Sequence, residues 1–86
     1  MIREYGPTAV SGSYAFELPG TKQGNRATVT VTTGELKLVV TQGSATVYTG
    51  TLSNGGCAEI KIENKTYKFT FTGTGTVQVD YRGGML

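Results

Sequence analysis

The chain has 86 residues, 37% of them apolar, with no tryptophan and no histidine. That length holds one domain, which buries ~60–65% of the surface its unfolded form exposes, and the thin apolar supply favours a sandwich two layers thick over a barrel enclosing a ligand cavity. A net charge of +2 from eight basic and six acidic residues, with no basic run, excludes the electrostatic footprint of a nucleic-acid binder.

Residues 1–12 carry Ile2, Tyr5 and Val10 without a clear period and are expected to form an N-terminal arm beside a domain over 13–82, with 83–86 as a C-terminal tail. From Met1 onward no basic segment leads into an apolar one, and no apolar stretch approaches the ~18 residues of a membrane span. Cytoplasmic synthesis without a signal peptide is therefore expected, with no membrane partner. The lone Cys57 fits this, since it leaves no intramolecular disulfide to staple a secreted domain.

Tyr14, Phe16 and Leu18 alternate with polar or small residues, which predicts a strand closed by Pro19-Gly20, followed by a polar loop over 21–26. Ala27, Val29 and Val31 alternate with Thr28, Thr30 and Thr32 in a second strand. Thr33-Gly34 then predicts a turn into a third, carrying Leu36, Leu38 and Val40. Pairing across that turn sets Val31 opposite Leu36, Val29 opposite Leu38 and Ala27 opposite Val40.

Gly43-Ser44 predicts a second hairpin, with Val40 opposite Val47 on one face and Val39 opposite Tyr48 on the other. Alternation breaks at Gly50, where a bulge would return Leu52 to the core face. Ser53 to Gly56 is a loop. Turns at Asn64-Lys65 and at Gly73-Thr74-Gly75 then predict a meander with three inward rows: Ala58, Phe71, Val77; Ile60, Phe69, Val79; and Ile62, Tyr67, Tyr81. The matching outward rows are polar and place Lys61 opposite Lys68.

No window recurs at 3.6 residues, so no helix is expected. Short strands at regular spacing predict an all-β fold, a small antiparallel sandwich of about seven strands with jelly-roll or immunoglobulin-like character.

Chemistry is sparsely supplied. Without histidine there is no Ser-His-Asp or Cys-His arrangement, and one cysteine cannot complete a zinc site, so neither catalytic residues nor a metal or cofactor is expected. Glu59, Glu63 and Asp80 are read as neutralising Lys61, Lys68 and Arg82. Lys61, Lys65, Lys68 and Arg82 form a candidate anion patch, and Cys57 an exposed thiol with no adjacent cation to activate it. The fifteen threonines read as solvated strand faces, for which threonine is well suited. Val39 and Tyr48, two apolar side chains on a polar face, form with Ile2, Tyr5 and Val10 a candidate protein-binding set. Met85 and Leu86 are its apolar counterpart at the other end.

Between Ala27 and Tyr81, the Tyr-Lys-Phe-Thr-Phe strand, its Gly-rich turn and the Val-Gln-Val strand resemble compact sandwich modules of phage virion proteins and bacterial surface proteins. The resemblance implies architecture and carries over no functional residue. The expected function is non-enzymatic: a small capsid- or tail-associated phage virion subunit acting through protein–protein contacts, as a homo-oligomer or in a larger assembly. The alternatives are an intracellular phage-encoded inhibitor or sponge for a host protein or small ligand, and an extracellular adhesive or carbohydrate-binding module.

Overall fold

The alternation seen in the sequence becomes strand almost throughout the computed structural model, which describes residues 2–20 and 25–83. Among these there is no helix, and five antiparallel strands form one sheet: β1 (Ile2–Pro19), β2 (Asn25–Gln42), β3 (Ala45–Ser53), β4 (Cys57–Ile62) and β5 (Thr66–Gly83). β5 lies between β1 and β2 along its whole length. The far edge of β2 is lined by β4 along its first half and by β3 along its second.

This sheet folds back on itself. β1, β2 and β5 have 18 residues each and would measure ~57–60 Å if straight, yet the longest extent of the molecule is 34 Å. Ile62 pairs with Asn25 and Lys68 with Thr41, at opposite ends of β2. Six residue steps reach at most ~22 Å, so the ends of β2 must approach each other. β1 does the same, because the rings of Tyr5 and Phe16 stack with centroids 5.0 Å apart. Two limbs result. The first holds residues 2–9, 25–33, 57–62 and 76–83; the second holds 13–19, 37–42, 45–51 and 66–72, with the corner between them.

The corner between the limbs is built of glycine. Gly12 pairs with Gly73 and Gly34 with Gly75, so three strands bend within two residue positions of one another. Gly34 has φ +83°, and a Cβ there would collide with the Thr74 carbonyl oxygen; a Cβ on Gly73, at φ +131°, would sit 2.6 Å from that of Glu35. Only glycine allows both the positive φ and the close backbone approach. The fourth column bends beside them through Asn54–Gly56, where the Gly55 N–H donates to the Val31 carbonyl (2.7 Å) and the Gly34 N–H to Asn54 Oδ1 (2.9 Å).

Several sequence expectations are corrected here. The seven strands are five, because Thr33-Gly34 and Gly73-Thr74-Gly75 are bends within β2 and β5 and not turns. Val31 therefore pairs with Val77 and Leu38 with Phe71, and the expected pairs across Gly34 do not form. The meander also fails: β4 pairs with β2, setting Ala58 opposite Val29 and Ile60 opposite Ala27. Residues 63–65 are an arch from one limb to the other. All nine residues of the three expected rows are nonetheless buried, as are Ala27, Val29, Val31, Leu36, Leu38 and Val40.

Residues 2–12, expected as an arm, form the first half of β1 and pair with β5. Gly6-Pro7 is a bulge in that half, at the register shift between Tyr5 and Thr8, and an edge-strand bulge is where a proline without an N–H is tolerated. Met1, Met85 and Leu86, and the loop over 21–24, lie outside the described residues.

Candidate functional site

The Gly43-Ser44 turn joins β2 to β3, but its register shifts: Thr41 pairs with Thr46 and Val40 with Tyr48, leaving Val47 as the extra residue of a bulge. The bulge expected at Gly50 is thus three residues earlier. Its effect is to part Val39 from Tyr48. Val39 faces outward between Thr70 and Thr49, whereas Tyr48 turns inward opposite Val40 and packs on the core. Val47 is left 47% exposed, the one large hydrophobic so exposed among the described residues. The signal was in the sequence, since Tyr48 and Leu52 share parity and a bulge before both returns both to the core face.

Where β3 and β4 leave the folded sheet open, a cleft of about 330 Å³ forms. Ile60, Tyr48 and Tyr67 line it, with Val47 at the rim and Lys61 and Lys65 alongside. The Tyr67 oxygen accepts the Glu63 backbone N–H (3.0 Å), and Lys65 Nζ lies 3.9 Å from Glu63 Oε1. The cleft thus unites Tyr48 from the expected protein-binding set with two members of the expected anion patch.

The rest of that patch is dispersed. Lys61 and Lys68 do not face each other: Lys61 pairs with Arg26, and Lys68 lies between Glu17 and Thr41 on the other limb. Arg26, which the sequence reading did not single out, instead forms a basic row with Lys61 on one side and Arg82 on the other. All three are exposed. Like charges directly opposite repel, and the adjoining row of Glu59, Asp80 and Glu4 compensates, with Arg26 Nη1 3.5 Å from Glu59 Oε1. That pair is exposed on both sides, so Arg26→Ala is expected to change stability by ~0.5 kcal/mol or less in chemical denaturation. A loss above ~1.5 kcal/mol would show that the row is held more tightly than an exposed pair allows.

A third surface lies at the opposite side. β1 pairs with β5 alone, so its other edge is free among the described residues. Along this edge, Tyr5, Tyr14 and Phe16 are half-buried at the opening between the limbs. Phe16 stacks on Phe69 (5.2 Å) and Tyr14 on Phe71 (6.2 Å), so the aromatic core continues to the surface here. Tyr5 is the member of the expected binding set that reaches this seam. Val10 is buried in the core; the backbone of Ile2 pairs with Arg82, and its side chain lies outside the described residues.

Cys57 is exposed, as expected, at the start of β4. Among the described residues no group of acidic, cysteine or histidine side chains is placed to hold a metal, and no helix is long and apolar enough to cross a membrane. No protein-family model matches this chain, and no curated protein matches it.

Proposed function

We propose that this chain is a non-enzymatic assembly protein whose folded sheet is a small two-layer sandwich that joins neighbours through its edges. The observation that supports it most is the free edge of β1, an 18-residue strand whose half-buried aromatics lie at the opening beside unpaired backbone. Edges of this kind template pairing with another chain. A rigid module with an adhesive edge suits a small capsid- or tail-associated virion subunit, in keeping with the resemblance over Ala27 to Tyr81.

The β3–β4 cleft favours a second reading, a sponge or inhibitor that captures a small ligand or a partner's side chain, because its volume reaches the lower end of the ~300–1,000 Å³ typical of ligand sites. Light scattering on the whole chain separates the two. Association that grows with concentration up to tens of micromolar is the expected result, and a strictly monomeric chain over that range overturns the self-assembly reading.

A further inference from the structure

We propose that a second copy of this chain adds antiparallel to β1 over residues 13–17, with the two-fold axis at Ala15, joining two folded sheets into one. This rests on the assembly reading and names its partner and its register. Edge strands that must stay unpaired carry deterrents such as charged side chains, prolines and bulges. The first half of β1 has one, the Gly6-Pro7 bulge. The second half lacks them as far as Leu18: Ser13, Tyr14, Ala15, Phe16 and Leu18 are uncharged, and Glu17 lies directly opposite Lys68 of the same chain. A cation thus stands across the β1–β5 pair from Glu17, so an occupant of opposite charge is not required.

The register follows from which side chains share a face. Side chains alternate between faces, so two sheets keep their inner faces continuous only if residues of equal parity are paired. The axis must then fall on a residue and not between two. At Ala15 it sets Tyr14 opposite Phe16 of the second copy, twice, extending the stack that already links Phe16 to Phe69 at 5.2 Å and Tyr14 to Phe71 at 6.2 Å. On the outer face it sets the Ser13 hydroxyl, a donor, opposite the Glu17 carboxylate of the second copy, also twice. Ala15 meets Ala15, with nothing bulky at the axis. An axis at Tyr14 would leave Phe16 opposite Gly12, and one at Phe16 would leave Glu17 opposite Ala15 with no donor. Aromatic and donor–acceptor pairs are satisfied together only at Ala15.

The test uses the whole chain as wild type, Ala15→Lys, Ala15→Glu and a one-to-one mixture of the two variants, followed by sedimentation equilibrium. Ala15 is exposed, so neither change disturbs the core, and thermal unfolding checks that the fold is kept. Wild type is expected to weigh two chains, and each variant to associate about fivefold or more weakly, since like charges meet at the axis. The mixture is expected to recover, because opposite charges then meet. Hydrogen exchange on wild type gives a second readout: edge-facing amides within 13–17 are expected to gain protection as concentration rises. A wild type whose association neither variant changes, or a mixture that stays as weak as its components, overturns the β1 register and leaves the assembly reading standing. Unchanged exchange at 13–17 in an associating wild type has the same meaning. A wild type of one chain at every concentration overturns both.

Discussion

Replacing Phe69 with alanine is expected to remove roughly 3–5 kcal/mol of stability, the loss typical of a large aromatic cut out of a packed core. Phe69 has no exposure and sits in the central strand of the sheet, between Phe16 on β1 and Val40 on β2. Its ring stacks on Phe16 at 5.2 Å, and Phe16 stacks in turn on Tyr5 of the other limb at 5.0 Å. The cavity would therefore open where the two limbs meet, with flanking strands unable to collapse into it. A domain of this size has a total stability of about 4–13 kcal/mol, so the loss removes from about a quarter to all of it. Urea denaturation with the slope unchanged should show the midpoint falling by about 2 M or more. A shift worth less than ~1 kcal/mol would mean that the limbs are held together elsewhere.

Gly34→Ala should cost about 2–5 kcal/mol, more than the same change at Gly12. Both glycines have positive φ, +83° and +101°, and an alanine at either pays the left-handed backbone penalty of ~1–2 kcal/mol. At Gly12 that is the whole cost, because a Cβ there meets nothing within 4 Å. At Gly34 the new methyl would also drive into the Thr74 carbonyl and lie 2.5 Å from the Gly75 Cα, backbone that cannot rotate away. Overpacking of this kind adds ~1–3 kcal/mol. The comparison isolates the close approach of β2 and β5 from the φ penalty that the two sites share. Equal losses at the two positions, measured by thermal or chemical unfolding, would show that this approach does not constrain the corner.

The candidate surfaces were legible in parts. Tyr48, Lys61 and Lys65 each stood out in the sequence, but as members of two separate patches, because nothing local says that β3 and β4 open onto the same cleft. Arg26 was not legible as a site residue. It lies 33 positions from Glu59 and gains its basic neighbours Lys61 and Arg82 only through the pairing of β2 with both β4 and β5. The seam along β1 was hidden for a different reason. Tyr14 and Phe16 read as an ordinary half-buried strand, and that this strand would be an edge is a property of the strand order.

What the sequence determines by itself is which face a residue takes within an unbroken strand; in β3, where the bulge at Val47 intervenes, it does not. Side chains on a strand alternate, so parity sends Ile60, Phe69 and Val79 inward whichever strand they pair with, and all three are buried. It also determines the all-β class and the Gly43-Ser44 turn, where two residues between Gln42 and Ala45 leave the chain only a hairpin. Strand partners are decided by the tertiary structure. A glycine with positive φ fits a hairpin turn as well as the bend of a long strand, and Gly34 and Gly73 are bends because β2 and β5 pair across the whole fold. Gly73 pairs with Gly12 of β1, and Gly34 pairs two residues along β5 with Gly75, and only that clustering, made between residues distant in the chain, tells a folded sheet from a row of hairpins.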